Sequence, residues 1–132
     1  MNLIVNGLDD ALLWQILEDE LTDRQVCELI WTRLGYCPDP DLPAEHRRWS
    51  AGPQTPSEWA EDYPHAPDFI SERPPTVKLT RSIPAPLKQL LKQELGFRGY
   101  KVSELVPRRT RRATAVSWLL AWRHQQLHPN VE

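Results

Sequence analysis

The placement of proline constrains the fold of this chain more than any other feature of its sequence. Eleven of the 13 prolines lie between Pro38 and Pro86. Each proline fixes φ and removes a backbone N–H donor, so long helices and central strands are difficult to sustain there. We therefore expect the main regular elements on either side of a proline-rich segment, defined as residues 36–85. Its interleaved aromatic residues, such as Trp49 and Phe69, favour a segment that packs onto the rest of the molecule.

The overall composition is that of a globular protein. Of 132 residues, 40% are hydrophobic and 26% are charged, which favours a single compact domain over residues 1–132. The chain is tryptophan-rich, and its six indole rings help a small domain to build a core. No apolar run reaches the about 20 residues of a membrane-spanning helix, and the apolar stretch at residues 3–5 lacks the preceding basic region of a signal peptide. Two cysteines are too few for a disulfide framework, so we expect a cytoplasmic protein.

Two helices are predicted before the proline-rich segment. Apolar residues recur at helical spacing over about residues 9–20, which predicts the first helix. The second is expected to start at Thr22, because Thr22 and Gln25 form a capping-box pattern, and to stop at Gly35. Together they predict a helical hairpin over about residues 9–35.

Three more helices are predicted, one inside the proline-rich segment and two after it. A capping pattern with proline at the first helical position predicts a short helix over about residues 56–62. Apolar spacing predicts helices over about residues 86–95 and 110–127, and the last is apolar almost all round, as expected of a central buried helix. The alternation from Val77 to Thr80 instead indicates a short strand or an extended segment. The prediction is a mainly α-helical domain of about five helices, with a core that includes Trp118, Leu119, Leu120 and Trp122.

The net charge of −2 conceals an acidic half followed by a basic half. Residues 1–66 hold 4 basic and 13 acidic residues, a net charge of −9, whereas residues 67–132 hold 12 basic and 5 acidic residues, a net charge of +7. Two explanations are open. Either the halves neutralise each other within the fold, or the basic half binds nucleic acid or an acidic partner.

Four arginines stand at the predicted start of the last helix, namely Arg108, Arg109, Arg111 and Arg112. Cations are unfavourable at a helix N-terminus, by about 0.3–1 kcal/mol each when exposed, so the cluster needs a compensating anion. One alternative is a phosphate, a nucleic-acid backbone or an acidic partner loop held by these guanidinium groups. The other is pairing with the acidic side chains of the first two helices, Glu18, Asp19, Glu20 and Asp23. If all four arginines are held by those helices and no basic surface is left, the binding hypotheses fail.

Arg98 and Lys101 extend the cluster toward the preceding connector. Phe97 and Tyr100 stand beside them, and basic residues interleaved with aromatic rings are typical of single-stranded nucleic-acid binding. The same spacing is also produced by a solvated surface next to core aromatic residues.

Motifs for catalysis and metal binding are missing from the sequence. There is no GxSxG, Walker A, GxGxxG or SxxK pattern. The two cysteines lack a CxxC arrangement and the four histidines lack an HExxH spacing. We therefore predict no catalytic residue, no metal ligand and no cofactor, although an enzyme whose site is assembled from scattered residues would carry no such motif.

The basic half carries a series of motifs that together resemble one family. They are Pro67-Asp68-Phe69-Ile70, the run from Arg73 to Pro84, Leu95-Gly96-Phe97-Arg98-Gly99-Tyr100-Lys101, and Arg108 to Ala115 followed by Trp118-Leu119-Leu120. The chain is similar, most strongly over residues 67–120, to a domain-of-unknown-function family of cyanobacteria and plant plastids. This resemblance implies a small soluble protein of a phototroph's cytosol or stroma and offers no catalytic residue.

Two function hypotheses follow. The leading one is a non-enzymatic interaction or assembly factor of a phototroph, whose basic face binds an acidic protein partner through the arginine cluster, Lys101 and Arg98. The alternative is RNA binding by the same face, with an affinity that falls steeply with salt. An enzyme without a recognisable motif is the third and weakest hypothesis.

Overall fold

The acidic half begins with two helices, as expected from the sequence. In the computed structural model, which describes residues 7–43 and 47–128, α1 spans Asp10–Leu17 and α2 spans Asp23–Arg33. The α1 helix ends earlier than predicted because Asp19 adopts a left-handed conformation, with φ 63°. The capping box at the start of α2 is present, with the Thr22 hydroxyl accepting from the Gln25 amide at 3.0 Å and the Gln25 side chain accepting from the Thr22 amide at 2.8 Å. The apolar stretch at residues 3–5 and His46 lie outside the described residues.

The proline-rich segment contains more regular structure than predicted. β1 (Cys37–Pro38) pairs antiparallel with β2 (Trp49–Ser50), and α3 (Ser57–Asp62) matches the short helix expected at 56–62. The prediction of a strand or extended segment from Val77 to Thr80 is wrong, because these residues lie within a helix, α4 (Arg73–Ser82).

Two prolines explain how α4 forms inside a proline-rich stretch. Pro74 and Pro75 stand in its first turn, where backbone N–H groups have no helical partner in any case. Pro75, Leu79 and Ile83 are buried at intervals of four residues, so one face of the helix packs on the core. The alternation of apolar and polar residues from Val77 to Thr80 is therefore part of a helical pattern and does not indicate a strand.

The basic half ends in a long helix. The helix expected at 86–95 is divided into a 3₁₀ turn (Ala85–Leu87) and α5 (Leu90–Leu95), which Gly96 ends in a left-handed conformation. A second 3₁₀ turn (Val102–Glu104) precedes α6 (Pro107–Leu127). This last helix begins three residues before the predicted position because Pro107 takes its first helical position.

The α6 helix is the centre of the core, as its composition predicts. It packs against α1, α2, α4 and α5, and its residues Trp118, Leu119 and Leu120 are buried while Trp122 is half-buried against the same core. The proline-rich segment packs on this core too, through Trp59, Phe69 and Ile70 among others. The prediction of a single, mainly α-helical domain is confirmed, with six α-helices and one two-stranded sheet in the described residues. Among the described helices, none is long and apolar enough to cross a membrane.

Candidate functional site

Arg112 is a core residue. Its side chain is fully buried, and its guanidinium group donates to the carbonyl oxygens of Ile16 at 2.9 Å and Leu21 at 2.6 Å. It also donates to Asp23 Oδ1 at 2.8 Å. Because all of these contacts tie α6 to the first two helices and no part of the side chain reaches solvent, we remove Arg112 from the candidate binding surface.

Arg108 is paired with the acidic helices as well. It donates two hydrogen bonds to the Asp19 carboxylate, at 2.7 and 2.8 Å, and one to Asp23 at 3.1 Å. The hydrogen bonds and charge of Arg108 hold the pKa of Asp19 below its usual range, although the partial burial of Asp19 opposes them. For Arg108 and Arg112, then, the compensating anion at the start of α6 is supplied by the protein's own acidic half.

Among the described residues, no carboxylate pairs with Arg109. It donates to the Leu17 carbonyl oxygen at 3.0 Å, and its guanidinium carbon lies 4.7 Å from the centroid of the Tyr100 ring. The Tyr100 hydroxyl donates to the same carbonyl at 2.8 Å. Arg109 and Tyr100 thus fasten the connector before α6 to the end of α1.

Arg111 faces a different part of the molecule. Its Nη1 donates to the Ile70 carbonyl oxygen at 3.1 Å, and it forms no ion pair with a carboxylate in the described parts of the chain. An arginine has five N–H donors, so this single hydrogen bond fixes the guanidinium group while leaving most of its donors available.

Arg111 lines a groove of about 510 Å³ between α4 and the start of α6, which we call the basic groove. Its lining residues are Arg73, Thr76, Val77 and Thr80 from α4, and Leu105, Val106, Pro107, Thr110, Arg111 and Thr114 from the connector and α6. Two of these residues are cationic and none is acidic. Arg73 is exposed, and no hydrogen bond or ion pair engages its side chain within the described residues.

The threonine hydroxyls of the basic groove donate their protons to the protein itself. Thr76 shares its one hydroxyl proton between the carbonyl oxygens of Phe69 and Glu72, and the Thr80 hydroxyl donates to the Thr76 carbonyl oxygen at 3.1 Å. In the same way, the hydroxyl groups of Thr110 and Thr114 donate to carbonyl oxygens one turn earlier in α6. The donors that remain for a ligand in this groove are therefore on the two guanidinium groups.

The other two predicted basic residues lie in the exposed connector before α6. Arg98 and Lys101 are exposed, and no ion pair holds either side chain within residues 7–43 and 47–128. Their aromatic neighbours are half-buried, because Phe97 packs edge-on against Trp14 and Tyr100 at centroid distances of 6.0 and 4.9 Å. These rings serve internal packing, as the core interpretation of the pattern expects.

Nucleophilic and metal-binding groups do not gather into a site in the described residues. Burial raises the pKa of the Cys27 thiol to about 12, and the neighbouring Asp68 carboxylate contributes to the same shift. No cluster of three His, Cys, Asp or Glu side chains is arranged to hold a metal ion among these residues.

Comparison with protein families gives one decisive match. A family model described as a domain of unknown function, DUF1823, matches residues 7–124, which is most of the chain. The chain belongs to this family. The match agrees with the resemblance seen in the sequence, and it includes α4, the connector and the arginine cluster of this DUF1823 domain.

A solved structure supports the same fold. A protein whose structure was determined in solution by NMR is 56% identical to this DUF1823 chain, with a TM-score of 0.76 over 91% of this chain and 96% of that one. Comparison with curated proteins gives no match. The family and its solved relative thus establish the fold, and the function has to be argued from the groove.

The sequence did not point to Arg73, Thr76 or Val106 as site residues. The reason is that the alternation around Val77 predicts an extended segment, so no helix is placed beside α6 and no groove between the two is expected. The signal is present in the sequence as two adjacent prolines that suit the first turn of a helix, Pro74 and Pro75, and as apolar residues four apart, Pro75, Leu79 and Ile83.

Proposed function

We propose that this protein is a non-enzymatic interaction or assembly factor that binds an acidic segment of a partner protein in the basic groove. One observation carries the proposal. Arg73 and Arg111 line a groove without a carboxylate, whereas Arg108 and Arg112 are already neutralised by Asp19 and Asp23. An uncompensated pair of guanidinium groups favours a carboxylate ligand, which can accept two hydrogen bonds from each of them.

Arg98 and Lys101 extend this basic surface into the connector. Both side chains are exposed, so their role in our proposal is to attract an acidic partner from a distance rather than to fix its position. We expect their removal to slow association and to reduce its dependence on salt.

RNA binding by the same face is the alternative function. Recognition of single strands needs exposed aromatic rings on which bases stack. Phe97 instead packs edge-on against Trp14 and Tyr100, and the Tyr100 hydroxyl donates to the Leu17 carbonyl oxygen, so these two rings serve internal contacts and do not favour base stacking. An enzyme is favoured still less, because the residues that line the basic groove include no histidine, cysteine, aspartate, glutamate or lysine that could act as a general acid, a general base or an activated nucleophile.

The cellular setting is part of the proposal. The resemblance to a cyanobacterial and plastid family supports a role in a phototroph, in the cytoplasm or the stroma. Cys27 and Cys37 are both free thiols, which is consistent with a reducing compartment.

A capture experiment tests this function. The tagged protein is incubated with phototroph lysate, one half of which is treated with nuclease, and captured proteins are identified by mass spectrometry. We expect the wild type to capture a partner protein whether or not the lysate is treated with nuclease. The variant Arg73→Ala/Arg111→Ala should no longer capture it. The control Arg81→Ala/Lys92→Ala, which removes two exposed cations outside the groove, should capture it as the wild type does. Capture that depends on intact RNA, or that both double variants reduce equally, contradicts the proposal.

A further inference from the structure

The basic groove has an apolar side as well as a cationic one. Leu105 and Val106 are 54% and 47% exposed, although both are large aliphatic residues. They line the groove together with the half-buried Val77 of α4. Val102, in the 3₁₀ turn just before them, is 87% exposed. Exposed aliphatic side chains beside a groove are typical of a protein-binding site.

The polar atoms of the groove restrict what can lie against this apolar side. Because the threonine hydroxyls donate within the protein, a neutral polar ligand finds few donors apart from the guanidinium groups. Arg111 is held by the Ile70 carbonyl, so its position is fixed before a ligand arrives. A purely acidic ligand would satisfy the two arginines and leave the aliphatic side chains in water.

We infer that the occupant of the basic groove is a peptide segment of a partner protein in which carboxylate and aliphatic side chains are adjacent. This inference rests on the proposed function and names the chemistry of its ligand. A Glu or Asp side chain binds between Arg73 and Arg111, and a neighbouring Leu, Ile or Val packs on Leu105 and Val106. The partner segment must therefore match the groove both in charge and in apolar surface.

Three synthetic peptides separate the two requirements. The first has the core Glu-Leu-Leu-Glu between flanking Gly and Ser residues, with blocked ends. The second replaces both Leu by Ser and keeps the charge, and the third replaces both Glu by Gln and keeps the apolar residues. Affinity is measured by titration calorimetry, and the binding site is located by amide chemical-shift changes in the full-length protein.

We expect the first peptide to bind at least about tenfold more tightly than either of the others. Its shifts should centre on Val77, Val106 and Thr110. Binding should fall about tenfold in Arg73→Ala and in Leu105→Ser, two exposed substitutions that leave the core intact. The control Arg81→Ala should bind as the wild type does.

Each other result overturns the inference in a distinguishable way. If the Ser peptide binds as tightly as the first, the groove recognises charge alone, and the proposed function stands without this refinement. If the Gln peptide binds as tightly, charge is irrelevant and the proposed function fails as well. If the first peptide does not bind, or shifts residues elsewhere, the groove is not its site, and the capture experiment alone decides the proposed function.

Discussion

Arg112 donates a 2.8 Å hydrogen bond to Asp23 across a separation of 89 residues. It joins a buried position of α6 to the first turn of α2, and the same guanidinium group reaches the Ile16 and Leu21 carbonyl oxygens around the end of α1. The basic and acidic halves of the chain are thus joined inside the fold at this point. The contact has a consequence for function, because it removes one arginine from the surface and leaves Arg111 to act at the groove.

Removing the Arg112 side chain should destabilise the protein strongly. Arg112→Ala leaves a cavity and removes the donors bonded to the Leu21 carbonyl oxygen and the Asp23 carboxylate, and we expect a loss of about 3–5 kcal/mol in the free energy of unfolding. Urea unfolding followed by tryptophan fluorescence measures it. The matched control Arg108→Ala breaks exposed ion pairs, so it should cost less than about 1 kcal/mol. Equal losses of unfolding free energy in the two variants would contradict the prediction that the buried arginine stabilises the protein more than the exposed one.

The pairing of Asp19 with Arg108 predicts a pH dependence of stability. The Arg108 hydrogen bonds lower the pKa of Asp19 in the folded state, so the ion pair stabilises the protein above the ordinary carboxyl pKa of 3.8. This contribution is lost as the pH falls through the lowered pKa. In urea unfolding between pH 7 and pH 3, the wild type should therefore lose more stability than Asp19→Asn. The control Glu18→Gln should follow the wild type, and an Asp19→Asn profile parallel to the wild type would contradict the prediction.

The two thiols should differ in reactivity. Cys37 is exposed in β1, whereas Cys27 is buried and its pKa is raised to about 12 by burial. At pH 8, a thiol-specific reagent should modify one cysteine of the folded protein quickly and the second only after unfolding in urea. Cys37→Ser should remove the fast phase, and a fast phase that persists in this variant would place Cys27 within reach of solvent.

Two helix-ending glycines should respond differently to alanine. Gly35 and Gly96 both have positive φ, 84° and 70°. A Cβ atom at Gly35 would meet the carbonyl carbon of Gln54 at 2.7 Å, whereas one at Gly96 meets nothing within 4 Å. Gly96→Ala should therefore cost about 1 kcal/mol from backbone strain, and Gly35→Ala about 1–3 kcal/mol more from overpacking. Equal unfolding midpoints for the two variants would contradict the close approach at Gly35.

The sequence predicts well the parts of the fold in which local and tertiary preferences agree. The capping box of Thr22 and Gln25 and the all-round apolar character of α6 both lead to the elements that the structure contains. The failure at α4 has a physical cause, since prolines that break a helix in its interior are well placed in its first turn.

The candidate site is less predictable than the fold. The arginine cluster is visible in the sequence, but its four members have three different environments, a buried one, two at the α1 end and one at the groove. Which arginine meets a carboxylate depends on the packing of α6 against α1 and α2. Local patterns do not contain this information, because the residues that decide it are far apart in the chain.

Arg73 and Arg111 are central to the proposed function, as the groups that bind an acidic segment of a partner protein. The most direct measurement is the affinity of the captured, purified partner for the wild type, for Arg73→Glu/Arg111→Glu, and for the charge-matched control Arg81→Glu/Lys92→Glu. We predict that the dissociation constant rises at least about tenfold in the first variant and stays within about twofold in the control. If both variants weaken binding equally, the interaction is general electrostatic attraction and not recognition by the groove. If the affinity of the first variant is unchanged, the groove is not the binding site.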